Sequence, residues 1–233
     1  KLSEEELQEA KMVGNILDHN LFTYHFQPIV RAKDGSIYAY EALMRTNVEP
    51  RVSPLQVIKY AEHLGRLYDV EKATFFNVMS CIEDNKELFD GKKVFINSIP
   101  GKQLEGEDAN HLAVKLRKFS SSVVVELTEQ TEADDEALER MKDGFRSMGV
   151  ETAVDDYGTG YSNIINLLRY APNYVKIDRM LLTGIQDNLQ KQHFVKSIID
   201  AIIAGDAEKA QKLMEEHIYN AKVHMIERFS DNG

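Results

Sequence analysis

The sequence predicts an α/β fold, a largely parallel sheet covered by helices and either closed as a barrel or open. Two observations carry this reading. Beyond Lys93, short apolar runs rich in β-branched residues alternate with runs of helical period. The chain is also long enough, at 233 residues, to bury a sizeable core, and its 43% hydrophobic and 28% charged residues fall in the globular range.

Taken in order, Ser3 followed by Glu6 reads as a capping box that opens a helix running to Asp18, with Leu7, Val13, Ile16 and Leu17 as its buried positions. LFTYHFQPIV and SIYAYEALM are two β-rich runs joined by the turn-forming AKDG, which predicts a hairpin. Ser53-Pro54 supplies an N-cap and a first-turn proline ahead of one long helical region to about Ile82. Then come strand KVFIN, helix HLAVKLRKF, strand SSVVVEL, helix DEALERMKDGFRSM, strand ETAVD, a short helix NIINLLRY, strand NYVKI and a helix near QHFVKSIIDAI. A complete eight-stranded barrel needs two further strands after Ile177. The residues there read instead as a helical tail, with Gly205-Asp206 as break and N-cap and Ala207, Ala210, Leu213, Met214, Ile218, Ala221, Met225 and Ile226 at helical spacing. The segments expected are an N-terminal helix over 1–19, an α/β domain over 20–204 and a helical tail over 205–233.

Composition narrows the function. With 38 acidic and 28 basic side chains the formal charge is -10, which repels polymeric phosphate backbones and anionic lipid, so a nucleic-acid polymer is excluded as the expected partner. The single cysteine, Cys81, reads as a small apolar core residue; it rules out an intrachain disulfide and a thiolate metal cluster, and a cytoplasmic setting fits best. No apolar run reaches membrane-spanning length, so the chain is not expected to insert in a membrane, and the opening KLSEEELQEAKMVGN is too acidic for a signal peptide. The first residue is Lys, which leaves room for an upstream membrane or sensor domain.

The chemical signal is positional. Glu41, Asn97, Glu126 and Asp155 each fall at or just beyond the end of a different predicted strand, with Lys176 inside the last one. Strand ends of a parallel α/β barrel converge on one face, where active sites are built. Three carboxylates and an amide oxygen are hard ligands suited to Mg²⁺ or Mn²⁺. Asp156 could help hold a second ion, and paired ions activate water for in-line phosphoryl displacement, with Lys176 holding that water or offsetting charge. Any one of these acids alone reads more readily as a turn former or helix cap; the recurrence at several strand ends weakens that reading in favour of a shared site.

These residues fall in ordered motifs: FQPIV at 26–30, YEALMR at 40–45, FINS at 95–98, ELTE at 126–129, DDYGTGYSN at 155–163 and KID at 176–178. Together they resemble the EAL domain of bacterial cyclic di-GMP phosphodiesterases, over roughly residues 20–200. The resemblance implies a modified TIM barrel that binds cyclic di-GMP and hydrolyses one phosphodiester bond to give linear pGpG. It also implies Glu41, Asn97, Glu126 and Asp155 as metal ligands, Asp156 as a ligand of a second metal ion and Lys176 as the contact to the catalytic water. Gln27 resembles a guanine-contacting residue and Arg45 a phosphate-contacting one. Tyr157 stands where Phe is commoner, and Gly158 and Gly160 let the following loop bend towards the site, ahead of Ser162 as a helix cap.

The departure lies at the C-terminal end, where the AEGVE-type and QGY-type segments of the family do not occur. The expected fold is therefore a TIM-barrel-like EAL domain lacking its last two strands, and the leading expectation is a metal-dependent cyclic di-GMP phosphodiesterase with turnover either kept or impaired. The rivals are a catalytically inactive cyclic di-GMP receptor and a dimerisation module acting as a homodimer or with a partner domain. The segment AIIAGDAEKAQKLMEEHI is similar to the C-terminal helical part of the FCD domain of GntR-type regulators, which makes His217 a counterpart of a metal-binding His; a plain helical stripe with His224 is the alternative.

Overall fold

The computed structural model describes residues 3–99, 101–128, 141, 143–157 and 172–204. The helix NIINLLRY, half of DEALERMKDGFRSM, Gly158, Gly160, Ser162 and the tail with His217 and His224 lie outside the described residues. The chain forms two compact units, one of Lys1–Leu127 with Thr131–Thr152 and one of Thr128–Gln130 with Ala153–Gly233.

Helix α1 (Glu4–Asp18) opens as expected: Ser3 Oγ accepts from the Glu6 N–H, and the Glu6 carboxylate accepts from the Ser3 N–H. Its buried residues are Ala10, Val13 and Ile16, while Leu17 is half-buried and Leu7 is 47% exposed. Helical periodicity explains the correction. Leu7 lies about 120° around the axis from Val13, the centre of the buried stripe, at 3.6 residues per turn.

The hairpin follows, with β1 (Phe22–Val30) antiparallel to β2 (Ile37–Thr46). Next, α2 (Pro54–His63) carries a second capping box, Ser53 with Gln56, and α3 (Leu67–Asp84) begins after a break. The single helix expected here is two helices. Gly65 adopts φ +67, a left-handed conformation that ends a helix readily without a Cβ, and the chain turns before α3. Two turns of helix beyond Asp84 escaped the sequence reading, α4 (Lys86–Phe89) and α6 (Arg179–Leu182), both too short to show a period.

The remaining strands are β3 (Lys93–Asn97), β4 (Val123–Thr128), β5 (Glu151–Tyr157) and β6 (Tyr174–Ile177). The sheet order is β1-β2-β3-β4-β5-β6, with β2/β3, β3/β4 and β5/β6 parallel. This is the mixed, parallel-rich α/β sheet the sequence predicts. Helix α5 (Gly106–Lys118) connects β3 to β4, and α7 (Leu189–Ala204) follows α6.

In the first unit, α1 and α2 close over a cluster of Val13, Ile16, Phe22, Val57, Tyr60 and Val70. Val94, Ile96, Val123, Val124 and Val125 are fully buried, as a parallel strand covered on both faces requires. Lys93 Nζ pairs with the Glu151 carboxylate at 2.5 Å at the start of the strands. In the second unit, Asp178 accepts from the Met180 N–H at 2.6 Å to cap α6, and Lys191 Nζ donates to the Met180 and Thr183 carbonyls at 2.7 Å, tying α7 to that turn.

Candidate metal centre

Strand register decides which side chains can meet. In the hairpin, Gln27 lies directly opposite Glu41 and Thr23 opposite Arg45. Side chains alternate along a strand, so Gln27, Glu41 and Arg45 share one face. Glu41 in turn pairs with Phe95 of β3, and Asn97, two residues on, pairs with Glu126 of β4. Asn97 and Glu126 therefore lie on the face that carries Glu41. Carboxylate oxygens of Glu41 and Glu126 come within 4.8 Å of each other. That separation is one a divalent cation would span, with metal–oxygen distances of about 2.0–2.6 Å.

Glu126 is fully buried and Glu41 and Asn97 are half-buried. Such a pair of hard oxygen donors in a largely dry setting fits Mg²⁺, Mn²⁺ or Ca²⁺ and does not fit a soft metal. The strands run on further than the sequence suggests: β2 to Thr46, β4 to Thr128 and β5 to Tyr157. Glu41, Glu126 and Asp155 are consequently inside their strands, and only Asn97 closes one.

In the second unit Asp155 and Lys176 meet each other, Nζ to Oδ2 at 3.0 Å, with side chains 18% and 26% exposed. The other oxygen, Oδ1, accepts from the Asp156 N–H at 2.9 Å. Asp156 has φ +56, and the β5/β6 register shifts between Val154 and Tyr157. A regular strand would turn Asp155 and Asp156 to opposite faces, and an irregularity of this kind breaks that alternation. Asp156 is exposed and Tyr157 is buried.

Arg45 Nη1 donates to the Met44 carbonyl at 2.7 Å. The residue lines a cleft of about 440 Å³ with Thr23, His25, Glu49, Arg51 and Gln56. Gln27 is exposed on the same hairpin face. His25 and Arg51 went unnoticed in the sequence; the available signal was His25 at the same strand parity as Gln27. Glu71 also went unnoticed. It is 2% exposed, and burial pushes its carboxyl up to about 7 against the lowering effect of hydrogen bonds from Ser98 and Ile99. Its signal was an acid flanking the apolar stripe of Val70, Phe75 and Val78. Cys81 is half-buried, not fully buried, and desolvation raises its thiol, which makes it a poor nucleophile.

Hard oxygen donors gathered on one face of a parallel-rich α/β sheet form a set of the kind that suits a divalent cation. The EAL domain model matches residues 4–207, and the chain belongs to the EAL family. The blue light- and temperature-regulated antirepressor BluF of Escherichia coli K12 is 26% identical over 206 residues, covering 84% of this chain and 48% of that protein. The cyclic di-GMP phosphodiesterase PdeR of the same organism is 26% identical over 214 residues, covering 88% of this chain and 31% of that one. The chain thus spans less than half the length of either relative. Among solved structures, Klebsiella pneumoniae BlrP1 in a manganese and cyclic di-GMP complex has the same fold, with a TM-score of 0.67 and 19% identity over 83% of this chain and 53% of that one. Among the described residues, no helix is long and apolar enough to cross a membrane.

Proposed function

We propose that this chain is a cyclic di-GMP phosphodiesterase module that opens one phosphodiester bond to give linear pGpG, with Mg²⁺ or Mn²⁺ held by Glu41, Asn97, Glu126 and Asp155. The observation that carries the reading is the approach of the Glu41 and Glu126 carboxylates within 4.8 Å on the sheet face they share with Asn97. The phosphodiesterase relative and the ligand of the similar structure supply the substrate class.

Bound divalent ions supply activation of water and stabilisation of charge on the phosphoryl group in flight. Asp156 adds a carboxylate for a second ion. Lys176, already paired with Asp155, holds an ammonium group where the attacking water is oriented and developing negative charge is offset. Arg45 presents its planar fork to a phosphate, and Gln27 presents an amide to a guanine edge. Water oxygen bonds to phosphorus as a ribose oxygen departs and takes up a proton. A cytoplasmic setting and action as a homodimer or with a partner domain belong to the same reading.

A receptor without turnover is the second reading. It is favoured by the antirepressor among the relatives. Incubation of the purified protein with cyclic di-GMP and Mg²⁺ or Mn²⁺, following both ligand and pGpG, separates the two. Formation of pGpG supports the enzyme, and binding with the ligand intact supports the receptor. Neither binding nor turnover overturns both.

A further inference from the structure

Glu71 of α3 projects from a helix whose neighbouring buried positions are Val70, Thr74, Phe75 and Val78. An ionisable side chain that is 2% exposed is costly unless its oxygens are used. Both are used on one segment. The Ser98 hydroxyl donates to Oε1 at 2.5 Å and the Ile99 N–H donates to Oε2 at 2.7 Å. These are the two residues that directly follow Asn97. Ser98 also donates its own N–H to the Glu126 carbonyl at 3.0 Å, so the same residue is tied to the backbone of the second strand that faces the site.

The setting makes these bonds rigid. A cavity of about 200 Å³ lies beside Glu71, lined by Phe75, Leu112, Leu116 and Phe145 among others. In such apolar surroundings, hydrogen bonds to a carboxylate gain strength and meet little competition from water.

We infer that Glu71 is a positioning residue of the metal centre, holding the Ser98–Ile99 segment so that Asn97 and Glu126 keep their ligands aimed at a common cation. This rests on the metal site proposed above. Hydrogen bonds of this kind behind a ligand set typically govern affinity by about tenfold to a hundredfold.

The test is titration of the intact chain with Mn²⁺ alone, read by calorimetry beside the melting temperature, for the parent, Glu71→Gln, Glu71→Leu and Ser98→Ala. Leu keeps roughly the volume of the side chain, suits the apolar surroundings and removes both acceptors. It is expected to melt at or above the parent temperature while Mn²⁺ affinity falls by about tenfold or more. Gln keeps an acceptor of the same reach and restores most of the affinity; Ser98→Ala removes one of the two donors to the buried carboxyl and loses part of that affinity. A purely structural role predicts that affinity follows melting temperature across the series. Parent-like Mn²⁺ affinity in Glu71→Leu overturns the inference, and if that variant does not fold, parent-like affinity in Ser98→Ala does so. A parent that binds no Mn²⁺ sinks the metal site itself, an outcome distinct from either.

Discussion

Glu41, a ligand in the proposed site, lies in the middle of β2 and is only half-buried, so its removal tests metal binding apart from folding. Glu41→Ala is expected to weaken Mn²⁺ binding by about tenfold or more with little change in melting temperature; a titration matching the parent's removes Glu41 from the ligand set. Arg45→Ala is expected to weaken cyclic di-GMP binding by roughly 1.5–3 kcal/mol, the range for a hydrogen bond to a charged group. Arg45→Lys is not expected to recover it, because an ammonium lacks the planar fork. Equal dissociation constants at one ionic strength reject that role. Glu71 carries a pH signature: its folded-state carboxyl is raised from 4.5 to about 7, so the folded state holds the proton more tightly. Its contribution to stability is fully present below the lower value and is lost as pH rises to the upper one. The parent should therefore lose melting temperature relative to Glu71→Gln between about pH 4.5 and 7. A constant difference across that window contradicts the raised carboxyl.

At the scale of elements, α1 is held by its apolar stripe, and Ile16 within it is fully buried against the α2 side. Ile16→Ala is expected to cost about 2–5 kcal/mol, read as a lower denaturation midpoint with an unchanged slope. A loss below 1 kcal/mol, roughly, would show that the site collapses around the gap. The sequence made this helix, the hairpin and both capping boxes legible because each depends on contacts within a few residues. The break at Gly65 was not legible, since one glycine inside a helical pattern reads equally as a tolerated interruption. The proposed metal ligands were visible as three acids and an amide near strand ends, yet the roles proposed for them became specific only through ordered motifs. The hydrogen bonds of Glu71 were beyond reach, because they join residues 27 and 28 positions apart and no local pattern encodes such a pairing.

For the whole molecule, a cation that binds the folded state alone must raise its stability. At a Mn²⁺ concentration about 100 times the dissociation constant the gain is about 2.7 kcal/mol. The melting temperature should rise with Mn²⁺ and return on addition of a chelator, while Glu126→Gln should flatten the response. A parent protein whose melting is indifferent to Mn²⁺ would deny the metal centre without any reference to turnover. The formal charge of -10 adds that an anionic ligand approaches against the average field of the protein. Local cations such as Arg45 and Arg51 in the hairpin cleft then decide where it can settle.

The cross-strand pairing of Gln27 with Glu41 and of Thr23 with Arg45 gives this hairpin a parity. Every group it offers to the site carries an odd number, and the even-numbered residues between them face the other way. Deleting one residue early in β2 would turn Glu41 and Arg45, the proposed metal ligand and phosphate contact, away together, although neither had been substituted. Deleting two would bring an equivalent face back, shifted along the strand by one repeat. Length changes along this ribbon are thus filtered in pairs, and drift in its loop at residues 31–36 is free only as long as it leaves the odd positions odd with respect to the partner strand. The geometry restricts which insertions and deletions a lineage can accumulate as firmly as the chemistry restricts which residues it can exchange.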